Sequence, residues 1–228
     1  MLKKILLSCL ILVSNSTFSK SLALSFDDGL DLSTHPQVQH INDAILNTLK
    51  QNKGHAIIYP SLSKIGANDG LGMIKQWGKQ GHRIGNHGNL HLNLNKDEVN
   101  LSTYLADMQQ GHQAFSTLEG FVPRYRFPFL KEGKKKKKRD GVRQWIKDHH
   151  YQSGAVSIDA SDWFYNQLFL KYQQENDQQS LVKLKQAYIF HLLDRAKYYD
   201  DLAQQTLGRS PKHVLLLHVR AINAAWLQ

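Results

Sequence analysis

The sequence predicts an α/β fold, a distorted (β/α) barrel of about seven strands that is incomplete at its C-terminal end. Two observations carry that expectation. Short β-leaning apolar runs recur along the chain with helical patterns between them, and such alternation gives a parallel sheet with right-handed crossovers. Several runs also end in polar clusters, and the C-terminal edge of parallel strands is where chemistry collects. Six or seven units fit a closed or nearly closed barrel better than an open sheet, although alternation alone is compatible with either.

Each element has its own local signature. The β-leaning runs are Leu22 to Phe26, His55 to Tyr59, Arg83 to Gly85, Arg124 to Phe127, Ala155 to Ile158 and Val214 to Leu217. Pro36 to Lys50 sets Val38, Ile41, Ile45 and Leu49 on one helical face after a Thr34-His35-Pro36 lead-in. Asp69 to Gln80 reads as a shorter helix, Asp97 to Leu118 as a long one, Arg139 to His149 as another, and Leu181 to Leu207 as one or two. The stretches Asn93 to Thr103 and Phe164 to Gln179 read as polar loops. There is no internal repeat.

Composition narrows the class. At 228 residues and 41% hydrophobic content, one sizeable core is affordable and no composition shift divides it. Residues 1–19 read as a signal peptide: Lys3 and Lys4, the apolar stretch Ile5 to Val13, then small and polar residues to Ser19. That stretch is too short to span a bilayer. The expectation is therefore a periplasmic or secreted domain over residues 20–228, with no stable membrane insertion. The lone Cys9 falls in the leader, so the mature chain has neither a disulfide nor a thiolate nucleophile. The formal charge of +10 is concentrated: without Lys3, Lys4 and the run Lys134 to Arg139, about +2 remains. No extended nucleic-acid face is implied, and Lys134 to Lys138 read as a solvated loop.

Chemistry-bearing residues sit at the run ends. Phe26-Asp27-Asp28-Gly29 places two adjacent carboxylates after the first. If one ligates a metal, the cation offsets their repulsion and the other stays free as a base. His87 and His91 follow the third run four residues apart, a spacing that lets two imidazoles on one helical turn reach one ion. With 12 histidines in the chain, that spacing alone is weak. Arg126-Phe127-Pro128-Phe129, Asp159-Ala160-Ser161-Asp162-Trp163 and Leu215-Leu216-Leu217-His218 close later runs. Each cluster alone reads as caps, surface charge or core. Five of them at five strand ends are not something core packing asks for.

In that order the motifs FDDG, HxxxH, RxPF, DxxDW and LLLH resemble the polysaccharide deacetylases, the NodB-like group of carbohydrate esterase family 4, from Leu22 to about Trp226. The resemblance implies a hydrolase that removes acetyl groups from N-acetylated sugars of a polysaccharide, such as peptidoglycan, a chitin-like polymer or an exopolysaccharide. It implies that Asp28, His87 and His91 hold a divalent metal, usually zinc, and that Asp27 is the general base held by Arg126. It implies further that His218 is the acid oriented by Asp162. The Phe129 N–H would stabilise the oxyanion, and Trp163 and Leu216 would line the acetyl slot.

Three departures from the family pattern stand out. Gly88 replaces a common Ser or Thr, which predicts a less firmly held metal loop. A lysine run occupies the loop after Leu130. The chain stops ten residues past His218, which predicts an uncovered sheet edge around the first strand. Competing readings are an O-acetyl esterase on the same site, a two-histidine iron oxygenase, which the β/α alternation disfavours, and a non-catalytic glycan-binding relative.

Overall fold

The structure is a computed structural model that describes residues 21–34 and 36–228. The expected signal peptide, Cys9 and the His35 lead-in lie outside the described residues. Seven strands form one all-parallel sheet: β1 (Ser21–Asp28), β2 (Ala56–Pro60), β3 (Arg83–Asn86), β4 (Phe121–Tyr125), β5 (Gln152–Ser153), β6 (Ile158–Asp159) and β7 (Lys212–His218). Their order is β5-β4-β3-β2-β1-β7-β6. The helices are α1 (Val38–Gln51), α2 (Leu71–Lys79), α3 (Leu101–Phe115), α4 (Lys136–Asp148), α5 (Asp162–Gln174), α6 (Gln178–Leu207) and α7 (Ala221–Trp226). None of them is long and apolar enough to cross a membrane.

The sheet is curled, and one connection shows why. Strands β5 and β6 are its opposite edges, yet only residues 154–157 separate them. Seven strands laid flat would hold those edges about 29 Å apart. The chain from Ser153 to Ile158 can span at most about 18 Å. The sheet must therefore bend into a distorted barrel that stays open between β5 and β6. The predicted continuous strand Ala155 to Ile158 is corrected accordingly: its first residues bridge the gap, and only Ile158 and Asp159 pair, with β7.

Alternation along β1 divides inside from outside. Phe26 turns outward, its ring 5.3 Å from that of Trp77 on α2, in a core with Ile45, Leu49, Ile58 and Leu217. Ser25 and Asp27 point inward to a polar interior. A second cluster of Tyr104, Met108, Tyr125, Phe127 and Trp145 seats α3 and α4 on β4, and a third of Phe169, Leu184, Tyr188 and Ile222 joins α5, α6 and α7. Strand β4 tolerates Pro123, which has no N–H to donate, because its register against β3 shifts between Ile84 and Asn86.

Four further expectations change. β1 is no edge: it lies inside the sheet, paired with β2 and β7. Phe164 to Gln174 is helix, not loop, because Phe169 and Asn166 bury one side of it. The long helix starts only at Leu101, where the Asn100 side chain accepts from the Thr103 N–H and caps it. Lys136 to Lys138 form the first turn of α4 rather than a loop. Lys138 Nζ is tied there to the carbonyls of Leu94 and Lys96 at 3.3 and 2.6 Å.

Candidate active site

A cleft of about 630 Å³ opens at the C-terminal ends of β1, β3 and β7, lined by Asp27, Asp28, His87, His91, Phe129, Trp163, Leu216 and His218 among others. Hollows of about 560 and 530 Å³ elsewhere lack this convergence of acids and imidazoles. Every residue singled out in the sequence borders the cleft or holds one that does.

Asp27 is set by Arg126, which crosses the barrel interior. Its Nη1 lies 3.0 and 3.1 Å from the two Asp27 oxygens. Nη2 donates to Ser25 Oγ at 3.1 Å, Nε donates to the Gly154 carbonyl, and the guanidinium lies 4.4 Å from the Tyr59 ring centre. A buried pair of this kind costs about 3–5 kcal/mol when one partner is removed. Burial pushes Asp27 up to about 6, because desolvation outweighs the neighbouring Arg126 charge. A carboxylate in that range is ionised at neutral pH and can still accept a proton.

Adjacent strand residues normally face opposite sides, but Asp28 has φ 74, which turns its side chain to the rim that Asp27 shares. Its Oδ1 is buried without a hydrogen-bond donor and lies 3.2 Å from His91 Nε2 and 3.7 Å from His87 Nε2. His87 Nδ1 sits 2.7 Å from the Arg126 carbonyl, which can only accept, so Nδ1 carries the proton and Nε2 offers a lone pair. Burial lowers His87 to about 3, so this ring is neutral. Burial raises Asp28, but His91, His87 and His218 together outweigh it and hold the carboxyl well below its usual range. One oxygen and two ring nitrogens, all within 4.8 Å of one another, suit a single ion. The two distances from Asp28 Oδ1, 3.2 and 3.7 Å, lie near the edge of about 3.3 Å expected between ligands of tetrahedral zinc.

The histidine loop is not the helical turn that the spacing predicted. Gly88 at φ +81 and His91 at φ +54 fold residues 87–91 into an irregular bend, which brings the two rings to 4.9 Å. Nor is the loop loosely held. A Cβ on Gly88 would come 2.2 Å from Asp107 Oδ2, so the space a Ser or Thr would need belongs to a buried carboxylate from α3. Asp107 accepts from the Asn89 and Leu90 N–H groups at 3.1 and 2.6 Å, while Asn86 Oδ1 accepts from the Gly88 N–H. The bracing has moved to Asp107 and Asn86.

On the other wall, His218 Nδ1 lies 2.7 Å from Asp162 Oδ1, and Asp162 Oδ2 accepts from the His218 N–H at 2.6 Å and from Asn223 Nδ2 at 2.7 Å. Burial works against charge on His218, but Asp162, with help from Asp28 and Asp27, prevails and raises it to about 9. Its Nε2 is thus a proton donor at neutral pH. Phe129 has φ 58, a sparsely populated backbone state for a bulky residue. Its ring meets His91 at 4.5 Å. Leu216 is buried and Trp163 stands exposed at the mouth. Asp107, Asn86, Asn223 and Arg220, which also borders the cleft, were missed in the sequence, and none of them lies in a patterned motif.

Comparison with known proteins agrees with this architecture. Residues 14–152 match the family profile described as polysaccharide deacetylase. A peptidoglycan-N-acetylglucosamine deacetylase from Bacillus cereus is 29% identical over 142 residues, 62% of this chain and 46% of that protein. The chain thus spans about half the length of that curated relative. Among solved structures, a polysaccharide deacetylase from Bacillus cereus aligns at a TM-score of 0.62 and 20% identity over 92% of this chain and 84% of its own. A family 4 carbohydrate esterase from Streptomyces lividans, in complex with acetate, aligns at 0.59 and 16% over 91% and 84%. A pseudoenzyme of carbohydrate esterase family 4 from Bacillus anthracis aligns equally well, at 0.61 and 14% over 92% and 58%, so the fold alone does not certify activity. With its profile match covering more than half of its length, this chain belongs to the polysaccharide deacetylase family.

Proposed function

We propose that the chain is a metal-dependent hydrolase that removes acetyl groups from the N-acetylated sugars of a polysaccharide, acting in the periplasm or outside the cell. The observation that carries this reading is the pairing of two differently tuned groups over one cleft. Asp27 is held as a base by Arg126, and His218 as an acid by Asp162, on either side of Asp28, His87 and His91. The orphaned Asp28 oxygen beside the ring nitrogens of His87 and His91 fits a divalent cation, and zinc suits that donor set. When bound, the cation would supply Lewis acidity at the acetyl carbonyl and ease deprotonation of water.

The chain's own residues account for the proton movements. Asp27 takes a proton from the attacking water, whose oxygen adds to the acetyl carbon. The Phe129 N–H, without an acceptor of its own among the described residues, is available to the developing oxyanion. As the carbon–nitrogen bond breaks, His218 Nε2 gives its proton to the departing amine, and acetate and a free amino sugar result. Leu216 and Trp163 exclude water beside the acetyl methyl. Substrates follow the curated relative only as a class, and N-acetylglucosamine polymers are the first to test. Acetate release from such oligomers should vanish on chelation and return with added zinc. Release that is untouched by chelation would contradict the reading, and release from O-acetylated glycans alone would convert it to an esterase.

A further inference from the structure

Arg220 is the residue of the cleft that this mechanism leaves unused. It follows β7 two residues after His218, its side chain is 31% exposed, and its Nε is buried with no hydrogen-bond partner. Among the described residues it pairs with Asp28, with Nη2 3.5 Å from Oδ2, beyond hydrogen-bond reach. A guanidinium presents five N–H donors in a rigid fork suited to planar anions. The part of this fork that stays open borders the cleft, where an anionic ligand can engage it.

Lys64 borders the same cleft from the turn after β2. Strands β2 and β7 are the two neighbours of β1, so Lys64 and Arg220 flank the Asp27-Asp28 edge from opposite sides. The charge balance points the same way. Asp27, Asp28 and Asp159 are matched by Lys64, Arg220 and protonated His218. A divalent cation on Asp28, His87 and His91 would engage the anion paired with Arg220 and leave the cleft positive by about two charges.

We propose that Arg220 forms a subsite for a carboxylate carried by the glycan close to the acetamide that is cleaved, making Arg220 a specificity-determining residue for acidic amino-sugar substrates. The inference rests on the deacetylase reading and deepens it. A single guanidinium matches a planar monoanion better than a phosphate dianion, which draws more donors.

The test is calorimetric binding to the zinc-loaded protein of a disaccharide whose acetamide is replaced by an uncleavable methanesulfonamide and whose neighbouring hydroxyl bears a lactyl ether. The lactyl group is supplied either as the acid or as its methyl ester, so the pair differs only in charge. The acid should bind about tenfold more tightly than the ester. Arg220→Gln should bring the two within about twofold, and Arg220→Lys, which keeps charge but loses the fork, should fall between. Equal binding by the unaltered protein, or an unchanged ratio in Arg220→Gln, would overturn the proposal. So would a loss of bound zinc in Arg220→Gln, which would assign Arg220 to holding Asp28. Because this ligand cannot react, the result is separable from the deacetylase reading: acetate release with equal acid and ester binding sinks the subsite alone.

Discussion

Replacing Asp162 with Asn probes the acid wall without touching the histidine loop. Asp162 accepts three hydrogen bonds, from the His218 N–H, His218 Nδ1 and Asn223 Nδ2. An amide has one oxygen, which can serve the backbone N–H and Asn223, so its NH₂ is left facing His218 Nδ1. The ring then switches tautomer and loses its stabilised proton. The rise of His218 from 6.5 to about 9 corresponds to about 3 kcal/mol. Without it, the fraction of His218 protonated at pH 8 falls about 30-fold, and at pH 6 less than about twofold. The sign is fixed by the role: the acid must be protonated, so activity is lost as pH rises through its pKa. A pH profile of kcat/KM on an N-acetylated oligosaccharide should show an alkaline limb near or somewhat below 9, since a cation on Asp28 removes part of that support. In Asp162→Asn the limb should move to about 6.5 or lower, with a smaller change for acetyl esters, whose leaving group depends less on an acid. An alkaline limb that stays in place in the variant would refute the assignment of the pair.

Gly88→Ser should destabilise the fold by about 1–3 kcal/mol, because the position has φ +81 and its Cβ direction is filled by Asp107; thermal denaturation reads it, and an unchanged melting temperature would restore the view that this loop tolerates a hydroxyl. Asp107→Ala should lower zinc affinity at least ~10-fold in a chelator competition, since it releases the Asn89 and Leu90 N–H groups beside His91. Replacing Lys136 and Lys137 with Glu should stabilise α4 by about 0.3–1 kcal/mol each, because both are exposed in a first turn that holds no acid and whose dipole disfavours cations. Turnover of a short neutral oligosaccharide should stay within about threefold in that double variant.

Much of the site was legible because its chemistry sits at strand ends. The β-leaning apolar runs mark β1, β3 and β7, and the polar residues at their C-terminal ends, Asp27-Asp28, His87 and His218, land on one edge once the strands are parallel. The hidden parts depend on contacts through space. Nothing around Asp107 marks it as the brace of a loop 17 residues earlier, since a lone acid within a helix ordinarily reads as a surface charge. The Gln-rich stretch of α5 lacks an apolar period strong enough to read as helix, because only Asp162, Asn166 and Phe169 are buried along it. The break between β5 and β6 is likewise a product of curvature, which no local pattern encodes. Arg220 escaped because an arginine after a strand is ordinarily a surface charge; only the buried, unmatched Nε gives it away.

The division of labour between the two adjacent aspartates is the centre of the account, and zinc stoichiometry measured by elemental analysis, alongside acetate release, tests it most directly. Asp28 Oδ1 stands between the two imidazoles, whereas both Asp27 oxygens are taken by Arg126. Asp27→Asn should therefore retain its full zinc content while turnover falls at least ~10²-fold, because the amide keeps the shape but cannot accept a proton. Asp28→Ala should lose zinc, because two imidazoles remain without an anionic partner. Loss of zinc from Asp27→Asn, or full zinc and activity in Asp28→Ala, would contradict the assignment of base and ligand.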